Sequence, residues 1–258
     1  VVFSNNVAGT YHLQYIAINY YDVSFITTAA DITTTYTPAT TVAWDGIVVN
    51  NNLYLAWNRN GAAAIQVNYL DSTLTIHSVV TVAGDPGTHF SLCADTTAST
   101  PVIWVSWYNA AGSAGFAMAF SQILTTILAK TSTISGTISN LASTAQDGVC
   151  NQIFEVASVL SFDATKSSNY IQYVTVTQAG VVSAIFDINF GIGLASKAIA
   201  YNGTTYFLTI YGAPPSASYA VNQPTYFLMN LSGEVIAKLA YSNGGTYYTL
   251  GLPQINLN

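Results

Sequence analysis

Short apolar runs recur along this chain, each closed by a cluster of Asn, Asp, Gly, Ser, Thr or Pro. Tyr, Phe, Leu, Ile and Val fill the runs, which is the pattern of short strands between turns rather than of helices. The stretch Lys197 to Tyr241 shows it most clearly. It predicts four antiparallel strands: Lys197–Tyr201, Tyr206–Tyr211, Thr225–Asn230 and Glu234–Tyr241. Turns at Asn202-Gly203 and Leu231-Ser232-Gly233 and a loop with Pro214-Pro215 separate them. These four positions within a unit are A, B, C and D.

The A–turn–B signature recurs at intervals of about fifty residues, the period of a repeat architecture. Thr41–Trp44 precedes Asp45-Gly46 and Leu53–Trp57. Phe90–Ala94 precedes Asp95 and Val102–Trp107. Leu141–Gln146 precedes Asp147-Gly148 and Ile153–Phe162. C–D hairpins follow: Ala64–Leu70 with Leu74–Val80, Phe116–Phe120 with Thr125–Thr131, and Tyr170–Thr177 with Val181–Ile188. Ile123–Lys130 is the one run a helix could claim, and its adjacent threonines favour a strand. The N-terminal region supplies three strands and no A strand: Val1–Asn5 as B, Tyr11–Ile18 as C and Val23–Thr28 as D. Tyr247–Leu252 supplies one strand at the other end. Together they predict a fifth unit, split between the termini, that clasps a ring shut.

This repeat resembles a β-propeller, in which four-stranded sheets stand radially around a channel. The resemblance covers nearly the whole chain. It implies an all-β fold, a five-bladed β-propeller of four-stranded antiparallel blades, as a single domain over residues 1–258. A β-sandwich or barrel is the alternative.

Composition narrows the function classes. Only 6% of the 258 residues are charged, against about 25% in an ordinary soluble domain. The five basic residues are Arg59, Lys130, Lys166, Lys197 and Lys238, and the net charge is −6. Nothing here neutralises a row of phosphates, so nucleic acid is not an expected partner. The most apolar stretch, Ala179–Ala195, is interrupted by Asp187 and Asn189, so no membrane span is expected. The sequence shows no initiator Met and no signal-peptide pattern, which reads as a mature or excised piece of something longer. Low charge, abundant Tyr and Thr, and sequons at Asn202 and Asn230 lean toward an extracellular or virion surface. Cys93 and Cys150 do not make a disulfide scaffold, and a buried thiol pair is the simpler reading of them.

Candidate chemistry is sparse. Asp45, Asp95 and Asp147 recur by unit, but at expected A–B turns, where Asp serves the backbone. Asp85 and Asp163 fall in connections at the opposite end, and Glu155 falls inside a B strand. Some five-bladed propellers that this one resembles are glycoside hydrolases, which need two carboxylates facing each other across the bond. No such set assembles from sequence, and no catalytic residue is assigned. His12, His77 and His89 are scattered, so no metal site or cofactor is expected. There is no Gly-x-Ser-x-Gly elbow, and Gly191-Ile192-Gly193 is no nucleotide loop.

The B strands end in aromatics: Trp57, Trp107-Tyr108, Phe162 and Tyr211. Trp57 and Trp107 are expected in the packing between sheets. The loops after the B strands are the longest polar connections and carry the expected ligand-binding residues. These are Asn58, Arg59, Tyr108, Asn109, Asp163, Lys166, Tyr219 and Asn222. The composition resembles that of phage tail appendages and prokaryotic surface proteins. That resemblance implies a non-enzymatic module for glycan or host-surface recognition, partnered by a receptor and by other subunits of a larger assembly. A glycoside hydrolase and an architectural subunit are the alternatives.

Overall fold

The computed structural model describes residues 2–7, 10–19, 21–32, 44–58, 64–83, 88–95, 99–109, 114–135, 140–146, 149–156, 170–183, 186–189, 192–201, 205–213, 223–230 and 235–240. These residues form strands in five antiparallel sheets. The first sheet is β1 (Val2–Val7), β2 (Thr10–Tyr15) and β3 (Ala30–Asp31). The second is β4 (Trp44–Val49), β5 (Asn52–Asn58), β6 (Ala64–Leu70) and β7 (Ile76–Ala83). The third is β8 (Thr88–Asp95), β9 (Val102–Tyr108), β10 (Ala114–Phe120) and β11 (Thr126–Ser135). The fourth is β12 (Asn140–Gln146), β13 (Val149–Val156), β14 (Tyr170–Thr177) and β15 (Phe186–Asn189). The fifth is β16 (Ile192–Tyr201), β17 (Thr205–Ala213), β18 (Gln223–Asn230) and β19 (Val235–Ala240).

In the last four sheets the strands pair in chain order, so each is an A–B–C–D meander. The A strands lie side by side: β4 beside β8, β8 beside β12 and β12 beside β16. That adjacency is the inner wall of a β-propeller, with the D strands outermost.

Alternation along the strands builds the packing between sheets. Leu55 and Trp57 of β5 turn toward Leu13 and Ile32 of the first sheet. Tyr54 and Ala56 turn the other way and meet Val105 and Trp107 of β9. From the far face of β9, Val102, Trp104 and Tyr108 meet Val174 and Val176 of the fourth sheet. A middle strand therefore has no solvent face, and every residue of Val102–Tyr108 is buried. Trp57 and Trp107 are both core residues, at 7% and 0% exposure. Cys93 is buried opposite Trp104, and Cys150 stands on β13 opposite Ala145.

Several strand assignments differ from the sequence expectation, among them β13, which begins at Val149 rather than Ile153, and β16, which begins at Ile192 rather than Lys197. The A strand of the second sheet is Trp44–Val49, not Thr41–Trp44, and residues 41–43 lie outside the described set. Asp45-Gly46 is inside that strand. The reversal is made by Asn50-Asn51, both with positive φ (49° and 62°), which is how a two-residue hairpin turn matches strand twist. In the first sheet the third strand is Ala30–Asp31. Residues 17–19 and 21–27 instead belong to a small hairpin closed by the Ile18–Phe25 bridge. Asp22 accepts hydrogen bonds from the Ser24 N–H and hydroxyl and turns the chain there. In the fourth sheet, β15 is Phe186–Asn189, and Val182 makes only an isolated bridge to Val176. The end strand Tyr247–Leu252 lies outside the described residues.

The C–D turns are copies of one another. Asp71, Ser121 and Thr177 each begin a turn with an oxygen-bearing side chain. Each accepts the N–H four residues on, from Thr75, Thr125 and Val181 respectively. The fourth residue is left-handed in all three: Leu74 at φ 65°, Leu124 at 61° and Gly180 at 80°. The same residue types continue in sequence at Asn230-Leu231-Ser232-Gly233.

Candidate functional site

The antiparallel order puts the start of each A strand, the end of each B strand and the start of each C strand at one end of the molecule. That end is the mouth at which D–A and B–C connections gather. The A–B and C–D turns lie at the other end.

Moving the reversal to Asn50-Asn51 carries Asp45 to the mouth half of the inner wall. Asp45 sits opposite Ala56 in β4, and its Oδ2 accepts the Leu92 N–H of β8 at 2.8 Å. The carboxylate thus bridges two neighbouring inner strands. Its face is set by register. Ala56 points into the packing between the second and third sheets, and Asp45 shares that side. Gly46, next to it, permits close approach of β5, since a Cβ there would lie 2.7 Å from Leu55 Cδ2. Nearby, the Ser106 hydroxyl, 1% exposed, donates to the Ser91 carbonyl at 3.2 Å and ties β9 to β8.

Glu155 belongs to the same end by register. It stands near the end of β13, opposite Asn140 at the start of β12. Asp95 does not. It is the last residue of β8, opposite Val102 and buried, at the A–B end. Asp147, Asp85 and Asp163 lie outside the described residues.

Three of the expected ligand-binding residues are described. Asn58 ends β5 and is half-buried. Asn109 closes the base of the third sheet's B–C connection, with its N–H donating to the Ala114 carbonyl at 3.0 Å and its Oδ1 accepting the Ala114 N–H at 3.3 Å. Tyr108 was expected to present its ring to a ligand. It is 5% exposed and packs with Trp104 and Cys93 against the fourth sheet. The physical reason is the two covered faces of β9. Arg59, Asp163, Lys166, Tyr219 and Asn222 lie outside the described residues. Asp45 is the residue that sequence reasoning assigned to the wrong role, because Asp-Gly is a strong turn signal. The signal that corrects it is the apolar run Ile47–Val49 that continues past it.

Among the described residues no group of three or more His, Cys, Asp and Glu side chains is placed to hold a metal ion. Among them, too, no helix is long and apolar enough to cross a membrane.

No protein-family model matches the chain, and no curated protein is significantly similar to it. Solved structures do share its fold. The Dos1 propeller superposes with a TM-score of 0.52 at 9% identity, over 91% of this chain and 55% of that one. A Synechocystis apocarotenoid oxygenase gives 0.51 at 7% identity, over 93% and 57%. The exo-β-1,3-galactanase from Phanerochaete chrysosporium, solved with galactose, gives 0.50 at 12% identity, over 91% and 61%. This chain spans somewhat over half the length of each. The likeness shows the β-propeller fold. It also corrects the expectation of a non-enzymatic recognition module. A glycoside hydrolase stands among the structures that share the fold.

Proposed function

We propose that this chain is a carbohydrate-active propeller, a glycoside hydrolase working at the mouth where the inner strands begin. The observation that carries the reading is Asp45, a carboxylate on the inner wall held by a backbone N–H of the next sheet. Glycosidic cleavage needs a general acid on one side of the bond and a base or nucleophile on the other, about 5–10 Å apart. A carboxylate with a charge-assisted bond to a fixed N–H is oriented before substrate arrives, as a base or nucleophile must be. Glu155, at the same end of the fourth sheet by register, is the candidate acid. The galactanase among the fold neighbours supports a polysaccharide substrate. The low charge of the chain suits a neutral one.

The test is release of reducing sugar from a panel led by β-1,3-galactan and other neutral plant polysaccharides. Asp45→Asn and Glu155→Gln should each lower kcat by at least about 100-fold, the usual scale for a positioned acid or base. Both variants should melt as the parent does. A parent chain inert on the whole panel, or an Asp45→Asn chain with full turnover, rejects this function.

A further inference from the structure

The end opposite the mouth is built to be covered, and this conclusion does not depend on the hydrolase reading. Two tyrosines show which turns gather there. The Tyr15 hydroxyl at the end of β2 donates to the Leu74 carbonyl in the C–D turn of the second sheet, at 3.2 Å. The Tyr54 hydroxyl donates to the Gln122 carbonyl in the C–D turn of the third, at 2.9 Å. The hairpin 17–27 follows β2 directly, so it stands beside these turns.

Large apolar side chains are exposed along this end. On the hairpin, Tyr21 is 93% exposed and Phe25 76%, with Val23 and Ile26 beside them. In the C–D turns of the third and fourth sheets, Ile123 is 67% exposed and Val181 63%. Val48, Ile76 and Ile236 lie next to turns at the same end. Among the described residues, every large hydrophobic that is exposed falls at this end. Scattered surface apolar residues are normal, but several large ones gathered on one hairpin and on the turns beside it mark an interaction site.

The hairpin is also held, not loose. Asn19 N–H donates to the Ser24 carbonyl, Val23 N–H to the Asn19 carbonyl and Ile26 N–H to the Ala17 carbonyl. Val23 is left-handed at φ 57°, a conformation that β-branched residues avoid. A tip that accepts strain to display apolar side chains has the character of a binding element.

Charge identifies the occupant. The described turns at this end carry Asp22 and Asp71, and no Lys or Arg. Lys130, by contrast, lies away from the turns, over the Phe116 ring at 4.0 Å. An apolar face with only acidic charges repels a second copy of itself and an anionic membrane. It matches a protein surface with apolar side chains among Lys and Arg. The geometry points to this face as the docking surface for a basic, apolar partner protein, with the 17–27 hairpin as its anchor.

The probe is a fluorescein-labelled amphipathic peptide of leucine and lysine, with the leucine and glutamate peptide as control. Anisotropy should report binding of the lysine peptide that weakens with added salt. Phe25→Ser and Ile123→Ser should each weaken it about tenfold or more, as for central apolar anchors, with the melting temperature unmoved. Equal binding of the glutamate peptide, or no loss in either variant, overturns the proposal. So does self-association in sedimentation equilibrium that Phe25→Ser abolishes, which would make the occupant a second copy. Capture of the chain by phosphatidylcholine vesicles, lost in the same variants, would make it a lipid surface and overturn the proposal equally.

Discussion

Asp71 shows how a single carboxylate can hold a turn. Its Oδ1 accepts the Thr73 hydroxyl at 2.6 Å and the Thr73 and Thr75 N–H groups at 2.8 and 3.0 Å. Its Oδ2 lies 2.6 Å from His77 Nε2, and the His77 ring stacks on Tyr69 at 5.0 Å. The Thr73 hydroxyl first, and His77 second, hold this carboxyl well below its ordinary pKa of 3.8. A depressed folded-state value means stability that is present above pH 3.8 and is lost as the pH falls through the folded value. Asp71→Asn should therefore lower the melting temperature at neutral pH. The gap from the parent should shrink progressively as the pH falls below 3.8. Thermal melts across that range decide it, and a gap that stays constant refutes the account. The neighbouring problem at Asp45 shows what a residue type conceals. Asp followed by Gly reads as a turn because both tolerate left-handed backbone, yet here Gly46 lies inside a strand, where an added Cβ would lie 2.7 Å from Leu55 Cδ2.

At the level of elements, the middle strands were the most legible. Ala64–Leu70 and Tyr170–Thr177 have the boundaries predicted from the sequence, because turn residues close each run. The burial of β9 on both faces hid Tyr108. A strand with two covered faces has no outward side, so alternation could not say which ring reached solvent. The repeated C–D turn was legible only in hindsight, since Asp71, Ser121 and Thr177 share an oxygen and no identity, and Leu74 and Leu124 occupy a place where Gly180 is the comfortable choice. Turn chemistry offers a direct check on the revised A–B reversal. With Asn50 and Asn51 both left-handed, Asn51→Gly completes the favoured Asn-Gly pair. The exchange should raise stability by up to about 1 kcal/mol in urea unfolding. Were the reversal at Asp45-Gly46 instead, Asn51→Gly would weaken a strand and destabilise the chain.

For the whole molecule, the β-propeller fold and the meander order of the described sheets followed from the period of the repeat, while the site did not. Function depends on which carboxylates share an end, and that required knowing where each A strand reverses. Closure of the ring is a separate matter. Among the described residues β1 pairs only with β2. Its other edge is where the split unit would receive the strand expected at Tyr247–Leu252. Removing Tyr247–Asn258 should then lower the melting temperature of the entire chain in one transition, because two sheet edges open together. A truncated chain that melts like the parent rejects closure by that segment. The tyrosine bonds from β2 and β5 to the next sheet's C–D turn have a consequence for how such a ring comes apart. Outer strands are usually the first to fray. Here the outer hairpin of one sheet is latched by a phenol rooted in the sheet before it. Amide exchange in Ser121–Thr125 should therefore speed up in Tyr54→Phe, and exchange around Thr73–Thr75 in Tyr15→Phe, while the reverse pairs stay slow. Opening would then travel round the ring in one sense, each sheet releasing the next.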